Sequence, residues 1–203
     1  MKKSLSFIIL TFFILQAASA QDKNKPAFKR FGFRAGANYS HINFAKGNPP
    51  PTFPIETSWG TGINVGFLIS VPVTGRLSIQ PEYLFSQMNG EIKSSETVYH
   101  FNYLSMPVFF KYQVHKKFSV LAGPQFDILI SAKKKVKGSS TNITHDTEER
   151  SLAATAGIEY QITDCFSLFA RYMHGFNHIG IGQRSDIQEF KYEMAQLTAC
   201  VRF

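Results

Sequence analysis

From residue 31 onward, apolar and polar side chains alternate with a period of two. Eight segments carry the pattern, at about 31–44, 59–72, 75–90, 98–114, 117–132, 150–163, 165–177 and 188–203. Such alternation gives a strand one apolar and one polar face. The last segment shows it clearly. Ala195, Leu197, Ala199, Val201 and Phe203 form one row, and Met194, Gln196, Thr198, Cys200 and Arg202 form the other. No 3.6-residue period is sustained beyond the first twenty residues.

The connections alternate in length. Pro72–Gly75, His115–Lys117 and Thr163–Asp164 are short, whereas 45–58, 91–97, 133–149 and 178–187 are long and polar. Transmembrane barrels of bacteria sort their loops by side in this way. The chain therefore predicts an all-β domain over 31–203, an eight-stranded antiparallel up-and-down transmembrane β-barrel. Both chain ends fall on the short-turn side, the periplasmic one, and 21–30 forms a short periplasmic segment. A soluble eight-stranded carrier of the lipocalin kind would keep the alternation with its faces inverted. Loop sorting, an export leader and the terminal Phe203 favour the membrane form.

Charges then assign the faces. An Arg or Lys facing lipid at mid-depth costs about 2–4 kcal/mol, so strand-centre charges belong in the lumen. Arg34, Glu82, Lys111, Asp127, Glu159, Arg171 and Arg202 all point inward on this argument. It places Phe33, Tyr39, Ile63, Phe67, Tyr83, Phe110, Ile128, Ile158 and Tyr172 outside. Eight strands leave an interior about filled by side chains. The expectation is a lumen plugged by ion pairs among those seven charges, helped by Leu84, Phe109, Leu129 and Phe169. The inward glycines Gly32, Gly36, Gly62, Gly66, Gly123 and Gly157 argue for a narrow water path instead.

Composition places the chain outside the cytoplasm. Residues 1–20 read as a cleaved signal peptide, with Lys2 and Lys3 before an apolar core and Ala18-Ser19-Ala20 at the cleavage site. Its apolar run is shorter than a spanning helix needs. Aromatic residues make up 14% of the chain, as strands favour, and the formal charge is +8. For an exported chain this basic balance points to anionic lipid or lipopolysaccharide rather than nucleic acid.

Other chemistry is sparse. Lys133, Lys134, Lys135 and Lys137 form a basic run that could grip lipopolysaccharide phosphates or simply solvate a loop. Asn48-Pro49-Pro50-Pro51 is a stiff segment suited to a surface contact with a partner that the sequence does not name. His100, His145, His174 and His178 lie near the long-loop rim, with Asp146, Asp186, Ser94, Ser95 and Ser185 in nearby loops. None sits in a catalytic motif, and no enzyme activity is expected. His174 and His178, four apart on a strand, would stand about 13 Å apart, too far to share a metal. No metal or cofactor is expected. Cys165 and Cys200 share lumen-facing parity near the short-turn end of neighbouring strands, a candidate disulfide in an oxidising compartment.

Several segments together resemble a known family. Phe31-Gly32-Phe33-Arg34-Ala35-Gly36 is similar to a glycine-rich first strand. Tyr103-Leu104-Ser105-Met106-Pro107 resembles a "Y-L-x-x-P" fourth strand, and Ala122-Gly123-Pro124 a "G-x-G-P" fifth-strand start. Residues 164–172 are similar to its turn and seventh strand. The family is that of the small outer-membrane β-barrel proteins of Gram-negative bacteria, often labelled porin-like. The resemblance implies an outer-membrane location and insertion by the barrel-assembly machinery, which reads a final strand such as Leu197, Ala199, Val201 and Phe203. It does not imply transport, because fold is not function. A structural or surface-interaction role leads. A narrow passive channel, an outer-leaflet lipid-modifying enzyme and a secretion-system barrel remain alternatives.

Overall fold

The computed structural model describes residues 30–44, 55–176, 179 and 190–203. The expected signal peptide, the triproline loop, His178, Ser185 and Asp186 lie outside the described residues. Ten strands are present among the described residues: β1 (Phe31–Asn43), β2 (Thr57–Ile69), β3 (Val71–Pro72), β4 (Leu77–Ile92), β5 (Thr97–His115), β6 (Phe118–Val136), β7 (Ser139–Asn142), β8 (Arg150–Gln161), β9 (Phe166–Gly175) and β10 (Lys191–Arg202). Eight are staves of one barrel. Each pairs antiparallel with its neighbours, and β1 closes the ring by pairing with β10 on one side and β2 on the other. In this order β4 faces β9 across the lumen, and β5 faces β10. The two-residue β3 continues the second stave along β4.

The alternation sets the faces as the charges predict. In β1, Arg34 and Asn38 are buried, while Phe33, Ala35, Ala37 and Tyr39 are exposed. In β10, Leu197 and Val201 are exposed, as is Phe203 just after it, and Met194, Thr198 and Cys200 are buried. Exposed outward aromatics stand toward both ends of the wall. Tyr39 stacks on Trp59 with ring centroids 4.9 Å apart near the long loops, and Phe67 stacks on Tyr83 at 5.5 Å. Such girdles mark the interfaces of a barrel's apolar band.

The third long loop differs from the expectation. Residues 133–136 continue β6, still paired with β5, and β7 returns along them. Lys137 and Gly138 turn the hairpin with positive φ at both positions, the geometry that two-residue hairpins favour. The basic run is therefore ordered strand and turn.

Inward glycines close space. A Cβ on Gly66 would fall 2.0 Å from the Tyr83 carbonyl oxygen, and one on Gly123 1.9 Å from that of Val108. Only a residue without a side chain lets the next strand approach this closely. Gly123 sits beside Pro124, where the β5–β6 pairing lapses between Pro107↔Gln125 and Phe110↔Ala122. The two proline motifs thus mark a gap in the ladder, where proline supplies no N–H.

Candidate functional site: the barrel lumen

Two three-residue ion clusters occupy the lumen. Near the short turns, Glu159 takes Lys111 and Arg202, each at 2.6 Å. Deeper, one oxygen of Glu82 accepts from Arg34 at 2.5 Å and from Arg171 at 2.8 Å, all three side chains fully buried. Gln80 donates to the other Glu82 oxygen at 2.7 Å. Phe169 joins the clusters. The Arg34 guanidinium lies 4.6 Å from its ring centroid and that of Arg202 lies 5.5 Å from it. Arg171 lies 5.0 Å from the Phe109 ring. Aromatic faces attract desolvated cations, most often Arg, which suits clusters holding two cations per carboxylate.

Asp127 joins neither cluster. It is buried, and it accepts from Gln125 at 2.9 Å, which in turn accepts from Thr155 at 2.9 Å. Its other oxygen has no hydrogen-bond partner in the protein. Six of the seven expected lumen charges are thus in ion pairs, and Asp127 is held by an amide instead.

Above the deeper cluster sits a group of neutral amides and hydroxyls. Asn38 donates to Ser86 at 2.9 Å and accepts from Asn64 at 2.6 Å and Gln196 at 2.9 Å. It also reaches the Gln87 carbonyl at 2.9 Å, and Ser40 donates to the Asn89 carbonyl at 2.7 Å. These bonds fall where the β2–β4 pairing lapses between Trp59 and Asn64, so β1 side chains supply partners that the ladder does not.

Toward the long loops the lumen is aromatic. Phe101 meets Tyr192 edge-on at 5.6 Å and Phe190 at 5.9 Å, and Tyr103 meets Tyr192 at 6.3 Å. Phe101 and Tyr103 come from β5, Tyr192 from the facing β10. The sequence analysis missed this layer. Its signal was present, because the parity that turns Lys111 inward also turns Tyr103, Phe101 and Tyr99 inward.

The remaining candidates are dispersed. His100 contacts Asn89 at 3.2 Å, and His174 faces Glu193 at 3.5 Å on the outer wall. His145 and Asp146 sit in a one-turn 3-10 helix far along the chain from either. These interactions form no nucleophile–base pair with a third orienting group among them. No cluster of three or more metal-type side chains occurs among the described residues. Cys165 and Cys200 remain separate thiols, a correction to the candidate disulfide. Cys200 pairs in register with Ser167, whereas Cys165 stands beyond it in the exposed turn, its carbonyl accepting from Arg202 N.

The basic run forms an outward face. His100, Lys133 and Asn142 are paired in one row, and Val98, Lys135 and Ser140 in the next. Lys133 and Lys135 are exposed, directly beyond the outward Ile128 and Ile130. Lys134 turns the other way, its ammonium 5.9 Å from the Tyr99 ring centroid.

A closed ring of alternating strands, with charges inside and an apolar, aromatic-rimmed wall outside, defines a transmembrane β-barrel. Residues 19–180 match the family described as "Outer membrane protein beta-barrel domain", and the chain belongs to it, which places it in the outer membrane. The fold is similar to that of Neisserial surface protein A, with a TM-score of 0.55 at 12% identity over 85% of this chain and 97% of that one. It is also similar to Ail, the attachment invasion locus protein of Yersinia pestis, with a TM-score of 0.50 at 16% identity over 87% of this chain and 100% of that one. No curated protein matches the sequence.

Proposed function

We propose that this barrel is a non-enzymatic structural and surface-interaction protein whose lumen is closed to solutes. The observation that carries this reading is the fully buried Arg34–Glu82–Arg171 cluster. It joins the facing strands β4 and β9 through the middle of the barrel, and the Phe101–Tyr192 contact joins β5 to β10 beyond it. A hydrated path would have to break ion pairs at one level and part rings at another. In this reading the chain matures near Gln21, reaches its place through the barrel-assembly machinery reading the strand that ends at Phe203, and keeps both termini in the periplasm.

The surface role rests on Lys133 and Lys135. On the outer wall just past the apolar band, they suit anionic headgroups such as lipopolysaccharide phosphates, each cation near such a surface contributing about 1 kcal/mol. Ail has been crystallised in complex with the heparin analogue sucrose octasulfate, a polyanion of related chemistry.

Conductance of refolded residues 21–203 in a planar bilayer tests the closed lumen. Silence from a folded barrel is expected. Reproducible discrete openings would overturn the reading in favour of a narrow passive channel.

A further inference from the structure

A cavity of about 490 Å³ opens at the short-turn end of the barrel. Its charged lining is Lys111, Arg202 and Arg76, against the single acid Asp164. Glu159 neutralises only part of this. It binds Lys111 and Arg202 from behind, with its own side chain 2% exposed, whereas theirs are 16% and 10% exposed. The carboxylate is hidden and the cations face the opening. Lys111 has three N–H donors, more than its pairing with Glu159 uses. Gln113 and Gln161 line the same cavity; the Gln113 amide already donates to the Lys116 carbonyl at 3.1 Å and has a second N–H, and Gln161 adds another neutral donor.

We infer that this vestibule is a binding site for a small organic anion carrying a carboxylate or phosphate group. The charged end sits against Lys111 and Arg202, Arg76 closes over it from the rim, and the glutamine amides take hydroxyls or carbonyls of the remainder. The site faces the opposite side of the barrel from Lys133 and Lys135 and does not depend on the role proposed for them. Charge excess gives it its preference: with Glu159 counted, three cations stand against two acids, and a net cationic cavity in a low-dielectric wall concentrates anions.

The test is calorimetric titration of the folded, detergent-solubilised mature barrel with glucose 6-phosphate, succinate and glucose. Saturable binding of at least one anion and none of glucose is expected. The tighter anion identifies the group as phosphate or carboxylate. Lys111→Gln should weaken binding at least about tenfold, the loss of a hydrogen bond to a charged group. Arg76→Gln, on the exposed rim and outside the ion clusters, should keep the fold and weaken binding about threefold at low salt. A Lys133→Gln, Lys135→Gln double variant should bind as the parent does. Absence of saturable anion binding by folded protein would overturn the inference. So would binding that survives Lys111→Gln and Arg76→Gln together, binding lost in the Lys133, Lys135 variant, or glucose binding equal to that of the anions.

Discussion

Glu82 on β4 and Arg171 on β9 stand on facing walls of the barrel and meet at 2.8 Å in its interior, both side chains fully buried. Arg34 shares the same carboxylate oxygen. Removing the acid would leave two buried guanidiniums without a counter-charge. Breaking a buried pair from one side costs about 3–5 kcal/mol. Glu82→Gln is therefore expected to lower unfolding stability by that order, read by urea titration of the barrel in vesicles. Asp127→Asn is the contrast. Asp127 has no basic partner among its hydrogen bonds and leaves one oxygen unsatisfied, so the neutral amide should leave stability unchanged or raise it. Equal losses in both variants would mean that the cluster is not what holds the lumen together.

Which residues face inward was legible from the sequence because one charge fixes the parity of a whole strand. Arg34, Lys111 and Glu159 did this for β1, β5 and β8, and burial agrees along each. Partnership across the lumen was not legible. It depends on the stagger between strands that are not chain neighbours, such as β4 and β9 or β5 and β8, and no local pattern encodes that stagger. For the same reason Asp127 could not be distinguished from Glu82 or Glu159. Cys165 and Cys200 match in parity and depth, but Cys165 lies in the exposed turn opposite Arg202 while Cys200 pairs with Ser167, a difference set by register. The hairpin at Lys137-Gly138 was missed because its left-handed first residue is a lysine rather than the Asn or Asp that usually signals such a turn.

Glycine substitutions should separate close strand approaches from an open turn. At Gly66 and Gly123 a neighbouring carbonyl oxygen stands within 2.0 Å of the place of a Cβ, whereas nothing lies within 4 Å of that place at Gly75. Gly66→Ala and Gly123→Ala must push two paired backbones apart, and overpacking of this kind typically costs about 1–3 kcal/mol. Gly75→Ala should fall within about 0.5 kcal/mol of the parent, as surface changes usually do. Unfolding midpoints of the three variants check the ordering.

Thiol labelling reads the cysteine arrangement directly. Cys165 is exposed and Cys200 buried. The folded barrel should take up one maleimide, at Cys165, and the unfolded chain two without prior reduction. One label appearing only after reduction would show a disulfide instead.

Arginine placed along the outer wall should locate the edge of the apolar band. Leu197 is 62% exposed on the lipid face of β10, and Leu197→Arg is expected to cost about 2–4 kcal/mol if the site lies at mid-depth. Val98 lies past the change from Ile128 and Ile130 to the hydrogen-bonded pair Asn102 and Ser131, beside Lys135. There Val98→Arg should cost only about 0–1 kcal/mol. Unfolding free energies in lipid vesicles measure both. A large cost at Val98 would move the membrane boundary outward and bury Lys133 and Lys135 in lipid.

If that boundary holds, Lys133 and Lys135 sit level with the headgroups and should respond to their charge. Stability of the parent should rise when phosphatidylglycerol is added to phosphatidylcholine vesicles, by about 1 kcal/mol per engaged lysine. The Lys133→Gln, Lys135→Gln double variant should lose most of that increment. Lys134→Gln should lose less, because its ammonium lies by the Tyr99 ring and not on the outer face. The increment should shrink as salt shortens the Debye length. An increment that persists in the double variant would assign the effect to other cations of the rim and leave the outward lysines without a lipid role.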